Sequence, residues 1–142
     1  MAAMERQMRR AEDFLRRFEK NSQDEGASEL LTQFGEEFLA GGPEGARVLR
    51  REMFAAALPR RRQIFREMGL RSSELAGMEI LPLDARYTLA RTQWRMMFER
   101  GTETVASSFL LEDAADGLRI ILYLSHQNLL SSFKGRGAGG GT

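Results

Sequence analysis

The chain has no cysteine and a single histidine, His126, among its 142 residues. The lack of cysteine excludes a disulfide framework and thiolate chemistry. One imidazole excludes the sites that need several histidines, such as many zinc sites. There is no glycine-rich phosphate loop, and the acidic residues lack the companion ligands that a metal site needs. The sequence therefore predicts no metal ion and no cofactor.

Long apolar runs and a strong excess of one charge are also missing. No stretch approaches the roughly 20 apolar residues of a transmembrane helix, and residues 1–10 are charged where a secretory signal would be apolar. The formal net charge is +1, so the chain as a whole is not an electrostatic match for nucleic acid. We therefore expect a cytoplasmic protein with no membrane or nucleic-acid partner. Its basic residues are nearly all arginines, a composition typical of a GC-rich bacterial genome.

The first half of the chain carries apolar residues at helical spacing. Ala11, Leu15 and Phe18 recur at intervals of three and four, and Phe14 widens the stripe. Similar groups follow, separated by Gly41-Gly42-Pro43 and by Pro59, which are typical helix breakers. These patterns predict four helices, at about 3–23, 28–41, 44–58 and 60–68.

The second half alternates with a period of two, which is the pattern of β-strands. It predicts strands at about 78–83, 86–100, 103–112 and 118–127. In the longest of these, Trp94 and Met96 share one face, while Arg91, Gln93 and Arg95 share the other. Because the tryptophan face is the more apolar, we expect it to face the helices. The reverse assignment would place the arginines in a pocket and would imply an anionic ligand.

The last predicted strand, at 118–127, also alternates with a period of two. Ile120, Leu122, Leu124 and His126 have one parity, whereas Tyr123 has the other. We therefore expect the leucines and His126 to face the interior and Tyr123 to face outward. Both faces of the strands carry large apolar residues, so both should be covered. The simplest second cover is another copy of the chain.

The length predicts one domain, at residues 1–133, with enough residues to bury a core. The glycine-rich tail at 134–142 is expected to be disordered. The whole pattern resembles the nuclear transport factor 2-like superfamily, which includes SnoaL-like polyketide cyclases and ketosteroid isomerase-like proteins. Four segments carry the resemblance: 30–38, 90–98, 106–111 and 116–121. It implies an α+β, cystatin-like cone, in which N-terminal helices pack on a strongly curved antiparallel sheet.

The resemblance also implies a pocket between the first helix and the concave face of the sheet, with a dimer through the convex face. We expect the pocket to hold a small apolar or amphipathic ligand. Its predicted lining is Phe14, Phe18, Phe54, Trp94, Met96, Ser107, Phe109, Leu122 and Leu124. The predicted dimer face is Arg91, Gln93, Arg95 and Tyr123.

The catalytic groups of the enzymes in that superfamily do not match here. Phe14 stands where the isomerase-like members place a tyrosine, and Ser107-Ser108 stands where they place a second acid. The leading prediction is thus a small-molecule-binding homodimer. One alternative is an isomerase-, cyclase- or dehydratase-like enzyme, with His126 transferring protons and Tyr87, Tyr123 or Ser107 as donors. Another is an interaction module with a closed core.

Overall fold

The structure is a computed structural model that describes residues 2–23 and 27–127 of the chain. The predicted tail at 134–142 lies outside these residues. The three helices are α1 (Ala2–Gln23), α2 (Ala27–Thr32) and α3 (Arg51–Glu67). The six strands are β1 (Phe34–Gly42), β2 (Gly45–Arg50), β3 (Leu70–Pro82), β4 (Tyr87–Phe98), β5 (Gly101–Ala114) and β6 (Gly117–Ser125).

All six strands form one curved, unclosed sheet in the order β2-β1-β6-β5-β4-β3. Neighbouring strands are antiparallel except β1 and β6, which are parallel. The sheet is therefore mixed rather than wholly antiparallel as predicted. Helix α1 packs on β3 and β4, while α3 contacts β1, β2 and β3. The predicted α+β cone, with helices on a curved sheet, is confirmed.

The core lies between α1 and the concave face of the sheet. Leu15 and Phe18 of α1 are buried, as the helical spacing predicts. The ring of Phe18 packs edge-on to two rings of the sheet, with centroids 5.1 Å from Phe109 and 6.0 Å from Trp94. Such edge-to-face pairs add about 0.5–1.5 kcal/mol beyond the area they bury. The aromatic contacts thus fix the depth at which α1 sits in the sheet.

Residues 34–50 form a β-hairpin, so the helix predicted over 28–41 is wrong beyond Thr32. Phe34 and Phe38 are both buried in β1. Residues four apart share a face in a helix and also in a strand, so their spacing fits both periods. Gly45, at a φ of 131°, follows the turn between the strands. A positive φ of this kind favours glycine, which explains the glycine at this position.

Helix α3 is continuous where the sequence predicts two helices. It begins at Arg51 and passes through Pro59, which lies on its exposed side, before ending at Glu67. Proline removes one backbone hydrogen bond from a helix, and packing against the sheet outweighs that loss here. Within the described part of the chain, no helix is both long and apolar enough to cross a membrane.

Helix α1 also bonds to the outer edge of β3, which is the last strand of the sheet. The Glu19 carboxylate accepts the backbone N–H of Leu75 at 2.7 Å, and the Arg16 guanidinium donates to the carbonyl of the same residue at 3.3 Å. The Gln23 amide donates to the carbonyl of Ser73. These bonds occupy backbone groups that a neighbouring strand would otherwise use.

Candidate ligand-binding site

The concave face of β4 is the face that carries tryptophan. Trp94 is 7% exposed and Thr92 is 2% exposed, whereas the side chains of Arg91, Gln93 and Arg95 are exposed on the opposite face. The predicted orientation of this strand is therefore confirmed. It places the arginines outside the cone, so the alternative of an arginine-lined pocket is wrong.

Strands β5 and β6 extend this concave face. Ser107 and Phe109 of β5 lie opposite Thr92 and Ala90 of β4. On the other side, Phe109 is paired with Tyr123 of β6, and the two rings stack with centroids 5.1 Å apart and planes 25° apart. Tyr123 therefore faces the interior of the cone, and its predicted place on the outer dimer face is wrong.

A β-bulge in β6 explains this difference. Leu111 pairs with Ile120 and Leu110 pairs with Leu122, so Ile121 is an extra residue with no partner of its own in β5. One extra residue reverses which face the following side chains occupy. Leu122 and Leu124 consequently lie on the outer face, and their predicted place in the pocket is wrong. The regular alternation of the sequence carries no sign of the bulge.

His126 follows the same shift. It is exposed just beyond β6, and its Nε2 lies 2.7 Å from the Oγ of Ser108. Ser108 pairs with Arg91 and Leu124, which places it on the outer face. The prediction that His126 faces the pocket is therefore wrong. The geometry gives no support to proton transfer by His126 inside the cone.

The concave side of the sheet carries fully buried side chains with partly buried ones packed beside them. We call this surface the cup, its buried part the floor and its half-buried part the rim. Seven of the predicted pocket residues lie on this side: Phe14, Phe18, Phe54, Trp94, Met96, Ser107 and Phe109. The floor includes Phe18, Phe34 and Phe109. The half-buried apolar residues of the rim are Leu49, Phe54, Met96, Val105 and Tyr123. Phe54 of α3 faces β1, with its ring centroid 5.0 Å from that of Phe34.

One polar cluster interrupts this apolar surface. The indole Nε1–H of Trp94 donates to the Thr92 Oγ1 at 2.8 Å and to the Ser107 Oγ at 3.0 Å. The two hydroxyls are 2.8 Å apart, and the Thr92 hydroxyl also lies 2.9 Å from the Ser107 carbonyl oxygen. Thr92 was not predicted as a site residue. The alternation of β4 places it on the tryptophan face, but only the register with β5 shows that it meets Ser107.

The outer face carries a row of aliphatic side chains that crosses the whole sheet. One residue from each strand pairs directly with the next, in the order Val48, Leu39, Leu122, Leu110, Leu89 and Leu81. We call this set the aliphatic row. Its outer members are well exposed, with 65% for Val48 and 54% for Leu81. With strands about 4.8 Å apart, the row is about 24 Å long.

Polar residues flank the aliphatic row on both sides. On one side, Arg91 pairs with Glu79 at 3.6 Å. On the other, the Glu112 carboxylate accepts hydrogen bonds from Arg119 at 2.9 Å and Arg86 at 3.0 Å. These bonds hold the pKa of Glu112 below its ordinary value, because they stabilise the charged form. The same bond to Glu112 raises the pKa of Arg86.

A concavity of about 390 Å³ lies between α1 and the β5–β6 turn. Its lining is polar and includes Asp13, Arg17 and Asp116. The Arg10 side chain at its edge is bonded to Asp113 at 2.8 Å, which lowers the pKa of that carboxyl. Of the predicted pocket residues, Phe14 lines this cleft, whose other side chains are mostly polar. Within residues 2–23 and 27–127, no three acidic or imidazole side chains come together to hold a metal ion.

Comparisons with known proteins identify the fold through solved structures. No family model matches the chain, and no curated protein matches it by sequence. A nuclear transport factor 2-like protein with a cystatin-like fold from Novosphingobium aromaticivorans superposes with a TM-score of 0.67 at 13% identity, covering 89% of this chain and 87% of the other. A protein from Catenulispora acidiphila, solved in complex with S-DNPA, superposes with a TM-score of 0.66 at 13% identity. The match covers 93% of this chain and 98% of the other.

A third similar structure, from Xanthomonas campestris, is provisionally described as a polyketide cyclase. It has a TM-score of 0.59 at 14% identity, and the match covers 89% of this chain and 96% of the other. Identities this low show a shared architecture and leave activity open. Helices packed on the concave side of a curved six-stranded sheet, together with these superpositions, show that the chain has the nuclear transport factor 2-like, cystatin-like fold.

Proposed function

We propose that the chain binds a small apolar or amphipathic molecule in the cup on the concave side of the sheet. The observation that carries this proposal is the gradient of burial there. Phe109 is fully buried, whereas Tyr123, Val105 and Met96 on the same face are half-buried against the core. Apolar side chains left partly open above an aromatic floor are typical of small-molecule sites.

Two further facts support this proposal. The only tryptophan, Trp94, lies in the floor of the cup beside Phe18, so a molecule bound there would contact a rigid aromatic wall. The Catenulispora acidiphila protein, which shares the fold, was solved with a small molecule bound. The alternative of an interaction module with a closed core predicts instead that nothing enters the cup.

The test is a titration with tetralin, a compact apolar molecule of two fused rings. Binding is monitored through the fluorescence of Trp94. In the wild-type protein we expect the emission of Trp94 to change with tetralin concentration and to reach saturation. Val105→Phe fills the rim and should weaken binding by roughly tenfold or more, because the added ring occupies the space that the probe needs. Val48→Phe is the matched control, since Val48 is 65% exposed on β2 and lies outside the cup.

The outcomes separate the alternatives. Saturable binding that Val105→Phe weakens and Val48→Phe leaves unchanged supports the cup as the site. No change in Trp94 emission up to the solubility limit of tetralin contradicts the proposal and favours the closed interaction module.

We also propose that the chain forms a homodimer through the outer face of the sheet. The aliphatic row supports this, because an apolar band about 24 Å long is costly to leave in water and is long enough for a standard interface. A second copy of the chain is a complementary partner for this face, since charges of both signs flank the aliphatic row on each molecule. The intrachain pairs of Arg91 with Glu79 and of Arg95 with Glu74 would then lie at the rim of the interface.

A further inference from the structure

We propose that the outer edge of β2 binds an extended segment of a partner protein in which two acidic residues flank two apolar ones. The partner segment pairs with β2 and adds a further strand to the sheet, which is a recurring mode of peptide recognition. This inference does not depend on the ligand site in the cup. It rests on the backbone of β2 and on the residue order Arg47-Val48-Leu49-Arg50.

Strand β2 stands at the border of the sheet and has one neighbour. It pairs with β1 alone, from Gly42↔Gly45 to Glu37↔Arg50. In an antiparallel pair, alternate residues direct their N–H and C=O groups toward the neighbour, and the others direct them away. Within residues 2–23 and 27–127, no group hydrogen-bonds to the outward backbone groups of β2. Such a border is a template for another strand.

The two borders of the sheet differ in this respect. At β3, side chains of α1 bond to the backbone of Leu75 and Ser73. Helix α3 follows β2 directly, but it packs on the concave side of the sheet, where Phe54 meets Phe34. The edge of β2 is left uncovered. Its six residues contain no proline and span about 20 Å. Strand addition is therefore directed to β2.

The side chains of β2 define the chemistry of the partner. Val48 pairs with Leu39 on the outer face, whereas Leu49 pairs with the buried Phe38 on the concave side. Residues directly opposite each other in paired strands share a face and contact one another. An added strand therefore needs an apolar residue opposite Val48 and another opposite Leu49.

The two arginines on either side of this apolar pair favour carboxylates. Arg47 is exposed, and no acidic side chain of the described residues forms an ion pair with it. Arg50 lies 3.7 Å from Glu37 and 3.6 Å from Glu52, and all three side chains are well exposed, so these pairs are weak. The complementary order is acidic, apolar, apolar, acidic. It reads the same in both chain directions, so it fits a parallel or an antiparallel partner.

Charge also distinguishes this partner from other occupants of the edge. A second copy of β2 would bring arginines beside arginines, which is unfavourable in paired strands. The C-terminal residues 128–142 of the same chain contain Lys134 and Arg136 and no acidic residue. The occupant that matches the edge is thus an acidic segment of another protein.

The experiment measures the fluorescence anisotropy of two fluorescein-labelled peptides, Gly-Thr-Glu-Val-Val-Glu-Thr-Gly and the same peptide with glutamine in place of glutamate. We expect the wild type to bind the acidic peptide roughly threefold to tenfold more tightly, as two exposed charge pairs predict. Arg47→Glu should remove most of this preference and leave the affinity for the neutral peptide within about twofold. Arg71→Glu is the matched control, since Arg71 is exposed on β3 at the opposite border.

A second measurement tests whether the peptide binds through its backbone. Adjacent residues of an added strand direct their amides alternately toward β2 and toward water. Methylation of one valine amide in the acidic peptide should therefore abolish binding, whereas methylation of the other should leave it nearly unchanged. Simple attraction between charges predicts equal effects of the two methylations.

Each outcome bears directly on the proposal. If neither peptide raises the anisotropy at the highest soluble protein concentration, the proposal is overturned, and the arginines serve to keep this border unpaired. If the acidic peptide binds but Arg47→Glu keeps the wild-type preference, or the two methylated peptides bind equally, strand addition at β2 is overturned. A failure of tetralin to bind the cup leaves this inference unaffected.

Discussion

Ile120 and Leu122 are two residues apart in β6, yet they lie on opposite faces of the sheet. Ile120 is fully buried in the core, whereas Leu122 is one of the two central members of the aliphatic row. The extra residue between them, Ile121, produces this reversal. It also decides which surface of the protein each later residue of β6 serves, and so determines both the proposed ligand site and the proposed dimer face.

The reversal predicts unequal effects of truncation at two adjacent positions. Tyr123→Ala should lower the free energy of unfolding by about 2–3 kcal/mol, because the ring stacks on Phe109 and packs near Phe34. Leu124→Ala should cost about 1 kcal/mol, since that side chain lies on the outer face. Urea denaturation at low protein concentration measures both, and a larger loss for Leu124→Ala would contradict the bulge.

A charge in the middle of the aliphatic row should disrupt the proposed dimer. We expect Leu122→Glu to shift the protein to monomer in sedimentation velocity, because an unpaired carboxylate would be buried between two apolar surfaces. Leu83→Glu is the control, since Leu83 is as exposed as Leu81 but lies beyond the end of β3. A wild-type protein that sediments as a monomer at high concentration would rule out the dimer.

The Glu112 cluster predicts a specific loss of stability in acid. Hydrogen bonds from Arg119 and Arg86 hold the pKa of Glu112 in the folded protein below its ordinary value of 4.5. A lowered pKa means that this contribution is complete above pH 4.5 and is lost as the pH falls through the folded-state value. Below pH 4.5, Glu112→Gln should therefore show a shallower fall in unfolding free energy than the wild type.

The control for this acid titration is Glu79→Gln. Glu79 also pairs with an arginine, but its side chain is 75% exposed, against 10% for Glu112. Exposed ion pairs contribute little, so the slope of that variant should match the wild type. Equal slopes for all three proteins would show that Glu112 is not the titrating group.

Two adjacent glycines in the β1–β2 hairpin should respond differently to the same substitution. A Cβ on Gly41 would lie 2.6 Å from the Cβ of Ala46 and 2.9 Å from the carbonyl oxygen of Gly45, so the hairpin would have to shift. We expect Gly41→Ala to cost about 1–3 kcal/mol. Gly42→Ala meets its first neighbour at 3.5 Å and should change the unfolding free energy by less than about 1 kcal/mol. Thermal unfolding compares the two, and equal melting temperatures would contradict this packing.

The sequence predicts the fold well where one period dominates. The β4 strand alternates without interruption, so its tryptophan face could be assigned to the interior from the sequence alone. In α1, the stripe that contains Leu15 and Phe18 fits only a helix over that length. These two elements form the main wall of the cone, and their patterns are the basis on which the sequence predicts the α+β architecture.

The predictions failed where two conformations satisfy the same pattern. Phe34 and Phe38 share a face in either a helix or a strand, and it is the pairing of β1 with β2 and β6 that selects the strand. In β6, the alternation of the sequence predicted that Leu122 and His126 face the interior. The pattern of apolar residues is the same with or without a bulge, so it could not predict the reversal. The meeting of Thr92 with Ser107 likewise depends on the register between strands, which is a property of the folded chain.

The bonds from α1 to β3 have a consequence for the protein's behaviour at high concentration. A strand at the border of a sheet can recruit a strand from another molecule, and repeated recruitment builds fibrils. Here Glu19 and Arg16 occupy the N–H and carbonyl of Leu75, and Gln23 occupies the carbonyl of Ser73. The helix that completes the core thus also protects the longest border strand from open-ended self-assembly.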